Sequence, residues 1–146
     1  MVALRLGSPL FTEGITNLMS VQPDDRYILH IASRSQWEHA QDQDEYRVET
    51  LESDGFIHCS RVQQVVPVAD AWFGARRDLV LVLIDSSRLL APLKYEGGTH
   101  EGATTELYPH LYGPLNREAV VDVYDFLPDE HGRFALPPEV IKRDER

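Results

Sequence analysis

The seven residues Leu79-Val80-Leu81-Val82-Leu83-Ile84-Asp85 constrain this chain more than any other stretch. The run is apolar at every position up to Asp85 rather than at every second one, and it is rich in branched side chains. That pattern suits a strand buried on both faces, near the centre of a sheet. Such a strand needs packed layers on either side, and the 146 residues provide for one domain of that kind.

Gly74 and the turn-like Arg76-Arg77-Asp78 precede the strand. Upstream, Tyr27 to Ser33 is a second short apolar run and reads as a strand. Ser33 to Tyr46, with Trp37 and Ala40 at helical spacing, is expected to form a short acidic helix. Asp54-Gly55 signals a turn, and Phe56 to Cys59 reads as another buried strand. Ser60 with Gln63 three residues later has the spacing of a capping box. Val62, Val65, Val66, Ala69, Trp72 and Phe73 then repeat every three to four residues, which predicts an amphipathic helix kinked at Pro67.

Beyond the central strand, Leu93 to Glu96 predicts a strand broken by Gly97-Gly98, followed by a Gly- and Thr-rich loop to Thr105. Glu106-Leu107-Tyr108, a turn at Gly113-Pro114 and a strand over Ala119 to Leu127 complete the pattern. Strands outweigh helices without regular alternation, so the expected class is α+β. Residues 1–25 show no period and read as a loosely attached extension, with Met19 a candidate start. The domain is expected over 26–128, with a polar tail over 129–146.

The 24 acidic residues exceed the 14 Lys and Arg, for a net charge of -10. That balance argues against a surface for nucleic acid or anionic lipid, both of which need clustered positive charge. The acids concentrate in Ser35 to Asp54 and Glu96 to Glu130, leaving Phe56 to Lys94 mildly basic. No stretch approaches the roughly 20 apolar residues of a membrane span, so no membrane association is expected and the default compartment is cytoplasmic. The single cysteine, Cys59, excludes an intramolecular disulfide framework.

Three groupings invite chemistry. A metal site would draw on His30, His58 and His110, but no ligand pair at helical or hairpin spacing supports it, and His58 and Cys59 point to opposite faces of a strand. Cys59 ahead of a helix start is a candidate nucleophile, or simply a small buried hydrophobe. The third grouping is an order: His30 and Ser33, then Gly55-Phe56-Ile57-His58-Cys59-Ser60 before a helix, then Asp85, then Glu106.

That order resembles the ADP-ribosyltransferase-like fold, a split or mixed β-sheet core with short helices. Gly55 to Ser60, together with Tyr108-Pro109-His110-Leu111-Tyr112-Gly113-Pro114-Leu115, resembles more closely a small bacterial family known as domain of unknown function 952. The superfamily likeness implies that His30 and Ser33 hold the nicotinamide and ribose side of NAD, that Ser60 caps the following helix, and that Glu106 is catalytic with His30. Where the superfamily pairs that Glu with an earlier polar residue, this chain offers Thr104, Thr105 or Glu101.

A carboxylate against the ribose would stabilise the charge that develops as the glycosidic bond breaks. On this reading Tyr108 or Tyr112 stacks on the nicotinamide, Arg61 or Arg34 meets the pyrophosphate, and His58 and His110 line the cleft. The expected function is binding of NAD or a related nucleotide, with ADP-ribosyl transfer or glycohydrolysis. The alternative is a non-catalytic module that uses the same cleft for a small metabolite or peptide. Against either stand plainer roles: His30 as a hydrogen-bonded core residue, Glu106 as a solvated loop carboxylate and His110 as the holder of a turn.

Overall fold

The computed structural model describes residues 25–97 and 106–144. In chain order the elements are β1 (Tyr27–Ser33), α1 (Arg34–Ala40), β2 (Glu45–Tyr46), α2 (Glu49–Ser53), β3 (Ile57–His58), β4 (Ser60–Arg61), α3 (Val65–Trp72), β5 (Leu79–Asp85), β6 (Leu93–Gly97), β7 (Leu107–Leu111), β8 (Leu115–Asn116), β9 (Val120–Phe126) and α4 (Pro138–Asp144). No helix among the described residues is long and apolar enough to cross a membrane.

β5 lies between β1 and β9 in a four-stranded sheet of order β4-β1-β5-β9. A three-stranded sheet, β3-β7-β6, and the short ladder β2-β8 accompany it. All these pairings are antiparallel. The fold is therefore α+β with split antiparallel sheets, and the mixed sheet expected from sequence is corrected. A parallel pair needs a long crossover, usually a full helix, and here the helices have only five to eight residues.

All seven residues of β5 are buried. Leu79, Leu81 and Leu83 join one apolar cluster with Leu29, Val65, Ala69 and Phe126. Val80, Val82 and Ile84 join a second with Ile28, Ile57, Leu111 and Leu115. Each such side chain contributes about 1.5–3 kcal/mol by leaving water, which is why an unbroken apolar run becomes the middle of the molecule.

Several boundaries differ from the sequence reading. The acidic helix stops at Ala40, because Tyr46 is drawn into the core by pairing with Leu115. Ser60 caps no helix; it lies in β4 opposite Leu29, and the residue before α3 is Gln64, which makes no side-chain cap bond. The backbone N–H of Arg61 instead donates to Gln64 Oε1 at 2.9 Å. Pro67 is the third residue of α3, in the first turn, where its missing N–H is lost to no helical bond, so it needs no kink.

The stretch expected as a polar tail over 129–146 packs on the domain as far as it is described, to residue 144. Phe134 and Val140 are buried in the cluster that holds Leu79 and Phe126, and Asp70 Oδ1 accepts from the Phe134 N–H at 3.1 Å. The proposed extension over 1–25 lies outside the described residues apart from Asp25, whose carboxylate accepts from Arg61 Nε at 2.8 Å and from the Tyr95 hydroxyl at 3.1 Å.

Candidate functional site

Gly55, with φ of +87°, turns the chain into a segment that serves both main sheets. Ile57 and His58 pair with Leu111 and His110 of β7, whereas Ser60 and Arg61 pair with Leu29 and Ile28 of β1. Between them Cys59 donates its N–H to the Pro109 carbonyl at 3.0 Å. Where the sheets part around this segment lies a cavity of about 790 Å³. His30, Ser33, His58, Ser60, Tyr108 and His110 all line it.

The three imidazoles are held differently. His30 donates from Nδ1 to the His58 carbonyl at 2.6 Å, and its Nε2 accepts from the Tyr46 hydroxyl at 3.0 Å. A carbonyl can only accept, which fixes this tautomer. Burial, which outweighs the His58 bond, lowers its pKa to about 4, so the ring is neutral. With both nitrogens engaged, His30 is a core histidine at the cavity wall and has no lone pair left for a metal.

His58 donates from Nε2 to Asp54 Oδ2 at 3.0 Å, with about two-fifths of its side chain exposed. His110 is almost fully buried and donates from Nδ1 to Glu96 Oε1 at 2.9 Å. Its ring stacks on Phe56, with centroids 4.0 Å apart and planes 12° apart, and sits 5.6 Å from the His58 ring. Burial holds the His110 pKa below the ordinary histidine value, although the Glu96 bond pulls the other way. Glu96 also accepts from the Tyr112 hydroxyl at 2.5 Å, and these two bonds, that of Tyr112 foremost, keep its carboxyl below the usual range.

Glu106, Arg61 and Tyr112 do not line the cavity. Glu106 is exposed; Oε2 accepts from Gln64 Nε2 at 3.1 Å and Oε1 from the Tyr108 hydroxyl at 3.4 Å. Arg61 is engaged with Asp25, and Arg34 pairs with Asp125 at 2.8 Å. Tyr112 faces Glu96 and carries Lys94 over its ring at 4.7 Å. Ser33 does line the cavity, but its hydroxyl also caps α1, accepting from the Gln36 N–H at 3.1 Å. Thr104, Thr105 and Glu101 lie outside the described residues.

The sequence reading missed Glu49, Thr50, Trp72 and Arg76, which also line the cavity. Glu49 is the carboxylate of the lining and opens α2. Arg76 is its cation, held in a two-point pair by Asp78 at 2.9 and 2.7 Å. Cys59 lies in the wall, buried, and burial pushes its thiol up to about 12, which leaves almost no thiolate for nucleophilic attack. Among the described residues no three His, Cys, Asp or Glu side chains converge to hold a metal ion.

A family described as "Protein of unknown function (DUF952)" matches residues 31–123. That span contains every residue of the cavity lining except His30. Among solved structures, the crystal structure of protein CC0527 from Caulobacter crescentus matches with a TM-score of 0.68 at 31% identity, covering 79% of this chain and 98% of that one. A double-mutant crystal structure of the same protein gives 0.68 at 30%, with the same coverage. Its solution NMR structure gives 0.61 at 31%, covering 74% and 90%. No curated protein matches the chain.

Proposed function

The chain belongs to the DUF952 family of unknown function, and from that premise we propose that it binds NAD or a related nucleotide by the nucleoside end. One observation carries this reading: His30, Ser33, His58, Ser60, Tyr108 and His110, drawn from β1, β3, β4 and β7, converge on one cavity. Its volume of about 790 Å³ falls within the roughly 300–1,000 Å³ of small-molecule sites. Tyr108, Trp72 and Phe73 offer aromatic area for a base, while Ser60, Thr50 and the imidazoles of His58 and His110 suit a ribose. Arg76 is the cation on the lining, where Arg61 and Arg34 are not, and a phosphate would share it with Asp78.

The ADP-ribosyltransferase-like fold is the finer architecture we propose, supported by the split antiparallel sheets, the cleft at their parting, and a first strand carrying His30 and Ser33. Transfer through Glu106 fits less well, since that carboxylate does not line the cavity; binding without catalysis is the second reading, and this placement favours it.

Titration of the full chain with NAD, ADP-ribose and AMP, read by calorimetry and thermal shift, tests the proposal. Binding with a concentration-dependent rise in Tm is expected, and no binding of any of the three at millimolar concentration overturns it. Release of nicotinamide from NAD, followed chromatographically, separates the enzyme from the binding module.

A further inference from the structure

His110 presents an anomaly that the binding reading does not by itself explain. The side chain is 3% exposed, it lines the cavity, and its Nδ1 is taken by Glu96, yet Nε2 has no hydrogen-bond partner among the described residues. Buried polar atoms are nearly always paired, because an unpaired one forfeits its hydration with no return. His58 differs in this respect: with about two-fifths of its side chain exposed, water can satisfy its second nitrogen.

Which nitrogen of a neutral imidazole carries the hydrogen is set by the partner of the other. A carboxylate only accepts, so Glu96 selects Nδ1–H and leaves Nε2 as a bare acceptor. Free histidine favours the opposite tautomer, so the choice is imposed by the fold. Three further contacts hold the arrangement in place. Phe56 stacks on the ring, Tyr112 hydrogen-bonds Glu96 at 2.5 Å, and Lys94 sits 4.7 Å from the Tyr112 ring centroid.

We propose that Glu96 is the positioning residue of a preset hydrogen-bond acceptor, holding His110 so that Nε2 receives a ribose hydroxyl of the bound ligand. The ribose assignment rests on the nucleotide reading above; the tautomer does not. An acceptor fixed in advance selects ligands that bring a donor and disfavours those that bring a second lone pair or only carbon. The ligand class is therefore a nucleotide with its ribose hydroxyls intact, not its dideoxy counterpart.

The test begins without ligand, on the full chain labelled with ¹⁵N at histidine. Two-bond nitrogen–proton spectra should show His110 as Nδ1–H with an unprotonated Nε2; an Nε2–H tautomer in the unaltered protein overturns the proposal. Glu96→Leu should restore Nε2–H, whereas Glu96→Gln, which can still accept through its oxygen, should retain Nδ1–H and confirm that the fold survives change at this site. AMP should then bind Glu96→Leu at least tenfold more weakly than the unaltered chain, while 2′,3′-dideoxy-AMP should not distinguish the two. Equal AMP affinity for both proteins overturns the acceptor role and leaves nucleotide binding standing. Failure of AMP to bind either protein overturns the nucleotide reading instead, since the tautomer is decided without it.

Discussion

The Tyr46 hydroxyl donates to His30 Nε2 across 3.0 Å, and the same ring donates from Nδ1 to the His58 carbonyl at 2.6 Å. Through these two bonds His30 ties β1 to β2 and β3. Tyr46→Phe removes the first and leaves a buried acceptor unpaired, which should cost about 1–3 kcal/mol. Urea denaturation should show that loss while nucleotide affinity changes by less than about twofold. A larger change in affinity than in stability would mean that the pair contacts ligand.

The same histidine makes stability depend on pH. Its pKa is about 4 in the folded chain against 6.5 when free, so on acidification the unfolded chain takes the proton first. The contribution is fully present above pH 6.5 and is lost as the pH falls toward 4, amounting to about 3 kcal/mol over that window. Denaturation at pH 7 and pH 4.5 should show a clearly smaller difference in His30→Gln than in the unaltered protein.

Two serines from the sequence reading should behave oppositely. Ser33 caps α1 through the Gln36 N–H at 3.1 Å, so Ser33→Ala should lower stability by about 1 kcal/mol. Ser60 caps nothing, and its buried hydroxyl has no hydrogen-bond partner among the described residues, so Ser60→Ala should cost less stability than Ser33→Ala. Thermal denaturation of both variants measures the contrast.

Two carboxylates compete for a role in the cleft. Glu49 lines the cavity and Glu106 does not. Glu49→Gln should change nucleotide affinity, and any nicotinamide release, by about tenfold or more, the size expected for a charge-assisted hydrogen bond. Glu106→Gln should change either by less than about threefold. The reverse ranking, measured by calorimetry and chromatography, would restore the role that the ADP-ribosyltransferase likeness gave to Glu106.

Gly113 has φ of +157°, and a Cβ there would stand 2.6 Å from the Ala91 Cβ. Neither atom can swing away, so Gly113→Ala should cost about 1–3 kcal/mol by overpacking. Adding Ala91→Gly should recover a substantial part of that loss in chemical denaturation; no recovery would place the strain in the backbone instead.

The central architecture was legible because a strand buried on both faces leaves an unbroken apolar run, as β5 does. Phe134 and Val140 were not: they are isolated apolar residues in a polar stretch, and their burial comes from tertiary contact rather than period. Ser60 and Gln63 satisfy the spacing of a helix cap, yet pairing of Ser60 with Leu29 prevailed, since the ladder with β1 places it in a strand. Around the cavity, the resemblance brought out the strand residues from His30 to His110. Glu49 and Thr50 were hidden in an acidic block that reads as a solvated face, and Glu96 acts only through the ring it orients. The engagement of Arg61 was invisible because its partner, Asp25, follows a segment with no pattern at all.

The segment Ile57–Arg61 spends its first half in one sheet and its second half in the other. The two sheets that meet at the cavity are thus a single piece of fabric with a fold in it, and they cannot part along this segment without tearing the ladder to β1 or to β7. The spacing of the two sheets along this segment is therefore set when the chain folds. In a room built this way, exchanging the furnishings alters what it could hold while leaving the seam between the sheets alone.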